Sequence, residues 1–456
     1  GSTFARYGRT NASELGITGA PALQTIHRIT VSGLSPATAY HVKVFSVSGT
    51  DTSFAGDRVV STASQGSTGQ INVYFNKSID PSVARRDTAK GNADLASFLI
   101  RRINAARKSI DCALYSLSGQ VGQSIANALA QARSRGVNVR FIVEKDNMYA
   151  GTGTVVNQII IPGGIPWIQD DLDAANAGVG LQHNKFFIFD YRGGSPDQTW
   201  VWTGSWNLTD SGTNDDMQNA IEIQDQALAG AYAIEFNEMW GSETNTPDPA
   251  NSRFGARKLD NTPHVFNING VPVELYFSPS DRTTSHIIST LDKAQNSINV
   301  AMLTLTRSDI ASELISKKTA GIKVRGILDN GTDTGSQFAF LVSSGIDMRL
   351  KPTTISGYFH HKYAVVDAEL TSVPQYVITG SHNWSSAAES SNNENTLIIQ
   401  SNGIANQYLQ EFSARYKAVG GSDKIVVSVE RSSDQIPRAF SLAQNYPNPF
   451  NGTTNF

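Results

Sequence analysis

At 456 residues the chain is longer than one typical domain, so length alone predicts two or three units. Charged residues make up 17% of the chain and the formal net charge is -3, so an anionic ligand would have to be held by local charge rather than by the overall field. Cys112 is the single cysteine, which excludes an intrachain disulfide and argues against a cysteine-based metal site.

The N-terminal segment has the pattern of β structure. ITVSGLSPATAYHVKV, starting at Ile29, places two alternating apolar runs around a turn that contains proline. It resembles a fibronectin type III module, and this resemblance gives the turn and the tyrosine corner to Leu34, Pro36, Thr38 and Tyr40. We expect residues 1–65 to form a partial β-sandwich module that acts as a spacer or an inert unit.

The middle of the chain contains an internal repeat. INVYFNKS, from Ile71, and VELYFSPS, from Val273, are each followed by an amphipathic helical pattern, a strand, a second helix and another strand. This order predicts an α/β fold, with two α/β/α repeats over 66–241 and 264–420 and mixed, largely parallel sheets. The polar, proline-containing stretch 242–263 reads as the linker between them.

Each repeat carries the same charged motif inside a strand-like run. HNKFFIFD, from His183 to Asp190, recurs as HHKYAVVD, from His360 to Asp367, and both read H-x-K-x-x-x-x-D. A given histidine would have this lysine and aspartate by chance in roughly one case in 300. Residues two apart in a strand face the same side, so each half presents an imidazole and an ammonium together.

The paired motifs resemble those of the phospholipase D superfamily, over roughly Ile71 to Gly420. The resemblance implies two halves packed about a pseudo-twofold axis, with one pocket that holds a phosphodiester and needs no metal or cofactor. It assigns the central roles to His183, His360, Lys185, Lys362, Asn207 and Asn383. One histidine would attack phosphorus and the other would protonate the departing oxygen. Among the remaining motif residues, Ser205 and Ser381 would donate hydrogen bonds to phosphate oxygens, and Asp190 and Asp367 would hold backbone.

The two histidines are expected to differ in their supporting residue. Aligning the segments after GSWN and GSHN sets Gln218 opposite Glu394, and the superfamily's small endonucleases carry a glutamate there that contacts the motif histidine. We expect Glu394 to support His360 as the general acid, and Gln218 to support a neutral, attacking His183. Asp215 or Asp216 could replace Gln218 and remove this difference.

Several further residues have two interpretations. His382 could touch substrate, and Trp206 and Trp384 could stack on it or pack in the core, whereas His361 is expected to pack. The acidic runs at Asp170, Asp171 and Asp173 and at 329–333 could bind calcium, but solvated loops are favoured. The apolar run 159–165 is either a bilayer contact or a buried strand.

The substrate class stays open between nucleic acid and lipid. The compact order of each half favours a nuclease, while the overall charge does not; a phospholipase D and a non-catalytic binding protein are the alternatives. The nuclease would act as a monomer.

FSLAQNYPNPFNGTTNF resembles, over Gln444 to Asn451, the start of a type IX secretion sorting domain, within a segment 421–456 that begins as linker. This resemblance implies a secreted or cell-surface bacterial protein.

Overall fold

The computed structural model describes residues 1–149, 154–172 and 180–428. The first unit is an antiparallel sheet in the order β2-β1-β3-β4, with β5 paired to β3. Tyr40 accepts a 2.9 Å hydrogen bond through its hydroxyl from the Ser35 N–H, which pins the turn before β3. The predicted β structure is therefore present here. The strands are β1 (Thr3–Gly8), β2 (Gly16–Ala20), β3 (Ala39–Ser48), β4 (Asp51–Phe54) and β5 (Arg58–Ser61).

The first half alternates strands and helices as the repeat predicts. Asp94 and Asp225 begin its first and last helices by accepting the N–H groups of Ser97 and Leu228. Its elements are β6 (Ile71–Phe75), α1 (Leu95–Ala105), β7 (Ser109–Leu114), α2 (Gly119–Ser134), β8 (Asn138–Val143), α3 (Lys145–Tyr149), β9 (Trp167–Gln169), β10 (Lys185–Phe189), β11 (Trp200–Gly204), α4 (Asp210–Asn214), β12 (Asn219–Ile223) and α5 (Gln226–Trp240). The apolar run 159–165 is not a strand: it overlaps a π-helical turn, Val156–Ile160. Ile160 and Ile165 are buried with residues of α2, while Ile161 is exposed in the turn between them.

The second half repeats this order with one additional strand at the edge. Its elements are β13 (Val265–Ile268), β14 (Val271–Ser278), α6 (Thr283–Asp292), β15 (Ser297–Met302), α7 (Ser308–Thr319), β16 (Lys323–Leu328), α8 (Phe338–Ser343), β17 (Asp347–Leu350), β18 (Lys362–Val366), β19 (Tyr376–Gly380), α9 (Ser386–Ser390), β20 (Glu394–Gln400) and α10 (Asn402–Ala418).

The two large sheets have matching topologies. Their strand orders are β6-β12-β11-β10-β7-β8-β9 and β13-β14-β20-β19-β18-β15-β16-β17. The mixed α/β architecture predicted from the repeat is confirmed. Parallel pairing is confined to the edges β7-β8-β9 and β15-β16-β17, so it is less extensive than predicted. The reason is that helical crossovers join β7, β8 and β9, and likewise β15, β16 and β17, so these strands run parallel. The consecutive strands after each charged motif are neighbours that pair antiparallel, even where a five-residue helix lies between them.

The halves share one apolar core. Helices α5 and α10 lie between the inner faces of the sheets, and their buried side chains join residues of both halves in a single cluster. Two asparagines bond across it: Asn395 accepts from the Thr203 hydroxyl at 2.8 Å, and Asn219 donates to the Thr379 hydroxyl at 3.1 Å. The relative position of the halves is therefore set by packing and by paired polar groups.

The 242–263 stretch is a packed connector rather than a solvated one. Phe254 is buried, and the buried Lys258 ammonium pairs with the Glu235 carboxylate on α5. The Gly255 N–H donates to the Asn393 side chain of the second half at 2.8 Å. None of the described helices combines the length and apolarity needed to cross a bilayer.

Candidate active site

The two charged motifs meet where the halves touch. Each motif histidine precedes a central strand, and its N–H donates to a backbone carbonyl of the opposite half. His183 N–H reaches Asn393 O and His360 N–H reaches Met217 O, both at 3.1 Å. These carbonyls immediately precede Glu394 and Gln218. Backbone pairing therefore brings each supporting side chain to the histidine of the other half.

The supporting residues are crossed relative to the prediction. His183 Nδ1 lies 2.9 Å from the Glu394 carboxylate, and His360 Nδ1 lies 2.9 Å from Gln218 Oε1. The prediction that Glu394 supports His360 and Gln218 supports His183 was wrong. It compared residues within a half, whereas the strands β12 and β20 deliver these side chains across the pseudo-twofold axis.

The segments that carry Gln218 and Glu394 each contain one acid and one amide two residues apart, and the order of the two is reversed between the halves. In the first half Asp216 precedes Gln218 by two residues, and in the second Asn392 precedes Glu394 by two. Asp216 Oδ1 accepts from the Tyr358 N–H at 2.8 Å, and Asn392 Oδ1 accepts from the Leu181 N–H at 3.0 Å. Asp216 therefore holds backbone at the site, and the difference between the two histidines is preserved.

Both motif lysines are buried and bond to the backbone of the adjacent histidine. Lys185 Nζ donates to His183 O at 2.6 Å, and Lys362 Nζ donates to His360 O at 3.0 Å. Burial lowers the pKa of Lys185 to about 7. Burial, together with repulsion from Lys185, holds the pKa of Lys362 well below its usual value. Two ammonium groups forced together in this way favour a site that receives an anion.

The same burial shifts the pKa values of the two motif histidines and of Glu394. Desolvation, reinforced by the two lysines, holds the pKa of His183 and of His360 well below the usual histidine value. Burial raises the pKa of Glu394 to about 7, although the lysines oppose that shift. A bound phosphodiester would add negative charge and favour the protonated forms of both rings.

The predicted asparagines keep hydrogen-bonding capacity. Asn207 and Asn383 are half-buried at equivalent places, and each has a buried side-chain oxygen without a partner among the described residues. An unpartnered oxygen can accept a hydrogen bond from a ligand, whereas the predicted contact with phosphate needs the amide N–H groups to donate, so that role stays a prediction.

The predicted serines do not face a substrate. Ser205 Oγ donates to Gln218 Oε1 at 2.8 Å, and Ser381 Oγ accepts from the Asn395 N–H at 3.0 Å. Both residues are fully buried. The prediction that they grip phosphate was wrong, because each hydroxyl turns back onto the strand that follows. Ser205 instead orients the amide that supports His360.

The two tryptophans pack in the core, whereas His382 is close enough to His183 and Glu394 to shift the pKa of both. Trp206 donates to the Thr213 hydroxyl at 3.0 Å and packs edge-on against Trp202, while Trp384 is buried in the outer core of the second half. His382 is buried, with Nε2 3.6 Å from the Glu389 carboxylate. Core packing is therefore confirmed for the two tryptophans and stacking on substrate was wrong for them, while the substrate contact of His382 stays a prediction.

The motif aspartates hold backbone. Asp190 accepts from the N–H groups of residues 107–109, and Asp367 accepts from those of residues 295–297. Both aspartates have left-handed backbone conformations, with φ of 54° and 59°. His361 packs between Asn219 and Glu411, as its position on the strand predicts.

Two aspartates of the acidic runs are buried rather than solvated. Asp170 is buried beside Glu144, and both carboxylates accept from the Gln182 N–H that precedes His183. Asp329, likewise buried, accepts from the N–H that precedes His360 at 2.6 Å. Asp173 lies outside the described residues. The interpretation of Asp170 and Asp329 as solvated was wrong, since they hold the entry to each motif.

Sequence reasoning did not identify Glu144 or Tyr115. Glu144 follows β8, and burial beside Asp170 raises the pKa of its carboxyl. The Tyr115 ring lies 4.7 Å from that of His183, and Lys185 Nζ lies 5.0 Å from its centroid. Both residues directly follow a strand that ends at the site, and this position is the signal that could have indicated them.

A cavity of about 380 Å³ opens beside this cluster. His360, Asn207 and Asp216 contribute to its walls. The other walls are mostly hydroxyl and amide side chains, from Tyr115, Ser116, Ser118, Asn147, Thr209, Ser211, Leu303 and Tyr358. The cavity can admit a polar group to the face of His360.

Comparison with known proteins gives consistent matches. The family model described as "Cardiolipin synthase, PLD-like domain" matches residues 99–240 and 287–416, together more than half of the chain. The mitochondrial cardiolipin hydrolase of Xenopus tropicalis is 36% identical over 135 residues, which are 29% of this chain and 60% of that protein. The phospholipase D of Rickettsia typhi is 32% identical over 145 residues, or 31% of this chain and 67% of that protein.

A solved structure shows the same fold over most of the chain. The phosphatidylserine synthase of Haemophilus influenzae superposes with a TM-score of 0.53 at 14% identity, and the match covers 77% of this chain and 87% of that one. The family model falls on both halves, and both halves contribute a histidine and a lysine to the cluster. This chain belongs to the family of phospholipase D-like proteins.

Proposed function

We propose that this protein is a nuclease that hydrolyses phosphodiester bonds of nucleic acid through a phosphohistidine on His183. Membership of a superfamily of phosphodiesterases supports the reaction class. The observation that carries the choice of substrate is the cavity beside His360. Apart from that ring, the Asp216 carboxylate and Leu303, its described walls are hydroxyls, amides and tyrosines. Such walls suit sugars, phosphates and bases better than acyl chains.

The different residues that contact the two histidines explain why one is proposed as nucleophile and the other as general acid. Glu394 occupies Nδ1 of His183, so Nε2 is the atom that attacks phosphorus, and the carboxylate stabilises the positive charge that the phosphorylated ring acquires. His360 is supported by the neutral Gln218, so its imidazolium is less stabilised and gives up its proton more readily. This assignment keeps His183 as the nucleophile for a reason opposite to the one expected from sequence.

The reaction proceeds in two balanced steps. Nε2 of His183 forms a bond to phosphorus as the ester bond to the leaving oxygen breaks, and that oxygen takes the proton of His360. His360, now neutral, takes a proton from water as the water oxygen attacks phosphorus and the phosphorus–nitrogen bond breaks. Lys185, Lys362 and the amide N–H groups of the two asparagines stabilise the charge on the non-bridging oxygens.

Cleavage assays test the substrate class. Plasmid DNA, single-stranded DNA, RNA and vesicles of phosphatidylcholine or cardiolipin are incubated in excess chelator with wild type, His183→Ala and the control His41→Ala in the N-terminal sheet. We expect chelator-resistant cleavage of nucleic acid by wild type and His41→Ala, with loss in His183→Ala. Release of lipid head groups with intact nucleic acid would overturn the proposal.

Trapping tests the nucleophile. A diester with a p-nitrophenolate leaving group needs no general acid, so His360→Ala should accumulate a phosphoryl group on His183 that mass spectrometry of an alkaline quench detects. A covalent adduct on His360 in His183→Ala would contradict the assignment.

A phospholipase acting on lipid head groups is the second candidate. The similar proteins named cardiolipin hydrolase and phospholipase D favour it.

We also propose that the protein is exported and that residues 1–65 form a fibronectin-like spacer. The Tyr40 contact supports the spacer, while the sorting motif at 444–451 lies outside the described residues. Immunoblotting of culture supernatant and cell fractions tests export.

A further inference from the structure

The residues just before the two motif histidines have equivalent backbone contacts but different side chains at both intervening positions. Both halves read Gly-x-x-His: Gly180 leads through Leu181 to His183, and Gly357 leads through Tyr358 to His360. A Cβ on Gly180 would lie 2.5 Å from the Ser391 backbone, and one on Gly357 would lie 2.3 Å from the Asp215 backbone. In each half this close approach to the opposite half requires glycine.

The residue that follows each glycine is held by its backbone on both sides. Tyr358 N–H donates to Asp216 Oδ1 at 2.8 Å, and Tyr358 O accepts from the Met217 N–H at 2.9 Å. Leu181 makes the equivalent pair of contacts with Asn392 and Asn393. The Tyr358 backbone is therefore fixed within the seam between the halves.

The Tyr358 side chain, in contrast, is open to solvent. It is 61% exposed and lines the cavity that His360 also lines. Keeping a large aromatic ring exposed on a rigid backbone forgoes the free energy of burying it. The other aromatic wall, Tyr115, is half-buried and already faces the His183 ring and the Lys185 ammonium.

We propose that Tyr358 is a stacking platform for an unpaired base next to the scissile phosphate, on the His360 side of the site. This inference rests on the proposed nuclease function and specifies its substrate as a nucleic acid with accessible, unstacked bases. A ring on a fixed backbone, two residues before the proton donor, is positioned to bind the base attached to the leaving group. Leu181 at the equivalent place in the first half offers no aromatic face. Base stacking is therefore expected on the His360 side of the phosphate and not on the His183 side.

The test compares a thymidine oligonucleotide with a matched oligonucleotide of abasic sugars. Stacking of a base on an aromatic side chain is worth about 1–3 kcal/mol, so wild type should favour the thymidine substrate in kcat/KM by on the order of tenfold or more. Tyr358→Leu installs the residue that the first half already uses and should bring the ratio close to one. Tyr358→Trp should keep it. The matched control Leu181→Ala should retain the wild-type ratio, and melting temperatures establish that all variants fold.

Each outcome has a separate meaning. An unchanged ratio in Tyr358→Leu, or equal cleavage of both oligonucleotides by wild type, overturns the stacking inference and leaves the nuclease proposal intact. Failure of wild type to cleave either oligonucleotide while it releases choline from phosphatidylcholine vesicles overturns both. Loss of preference in Tyr358→Leu together with its retention in Tyr358→Trp supports the inference.

Discussion

The Glu394 carboxylate of the second half lies 2.9 Å from Nδ1 of His183 in the first half. The equivalent contact of His360 is to the neutral amide of Gln218. The site thus has pseudo-twofold geometry and asymmetric charge. This asymmetry gives the two histidines different acid-base properties within one pocket.

Exchanging the supporting groups should change the pH dependence. Gln218→Glu keeps the acceptor for the Ser205 hydroxyl but stabilises the His360 imidazolium, so the pKa of the general acid rises. We expect the basic limb of the kcat profile to move to higher pH, because that limb reports protonated His360. Glu394→Gln should lower kcat by about 10²–10³ without such a shift. A basic limb that stays in place in Gln218→Glu would contradict the role of His360.

Lys362→Met should stabilise the fold while it removes activity. Burial and Lys185 hold the pKa of Lys362 well below its unfolded value, so its charged form costs stability at every pH below the folded pKa. The cost disappears as pH rises towards the unfolded pKa, since lysine is then neutral in both states. We expect about 1–2 kcal/mol of added stability near neutral pH, a smaller gain at alkaline pH, and a loss of about 10²–10³ in kcat.

Urea denaturation at two pH values, with the exposed Lys318→Met as control, measures the stability change. Destabilisation of Lys362→Met near neutral pH would show that its bond to His360 O outweighs the cost of burying the charge.

The buried pair of Lys258 and Glu235 should be strongly coupled in its contribution to the free energy of unfolding. Lys258→Met leaves the Glu235 carboxylate buried without its partner, which typically costs about 3–5 kcal/mol. Glu235→Gln/Lys258→Met should recover most of that loss, because no unpaired charge remains. Arg307→Met, at the exposed pair with Asp309, should change stability by less than about 1 kcal/mol. Additive effects of the two single substitutions, measured by chemical denaturation, would refute the coupling.

The buried pair of Glu144 and Asp170 should make the stability of the fold fall as pH rises. Burial and the adjacent Asp170 raise the folded pKa of Glu144 above its unfolded value, so its contribution is complete below the unfolded pKa and is lost as pH rises through the folded pKa. Glu144→Gln mimics the protonated form. We expect it to lose less stability than wild type between about pH 5 and pH 9. Asp146→Asn, at an exposed position beside it, serves as the control and should follow wild type. Parallel curves for wild type and Glu144→Gln would contradict this interpretation.

Local sequence was enough to indicate the repeat, the strand–helix order and the two catalytic sets. The His-Lys spacing predicts a shared strand face because side chains alternate along a strand, and the same alternation correctly turns His361 away from His360. Glycine before Ser205 and Ser381 marks a strand end but says nothing about where the hydroxyl turns. Those serines were therefore misplaced, and the choice between stacking and core packing stayed open for the tryptophans that follow them.

What only the tertiary structure decided is which half supports which histidine. The alignment pairs Gln218 with Glu394 but cannot show that β12 and β20 reach across the axis, because crossing depends on backbone pairing between residues more than a hundred positions apart. The burial of Asp170 and Asp329 was likewise decided by tertiary contacts, although the N–H groups that they accept lie only 12 and 30 residues along the chain. Residue types determined which chemistry the chain can perform, and long-range packing determined the partner of each group that performs it.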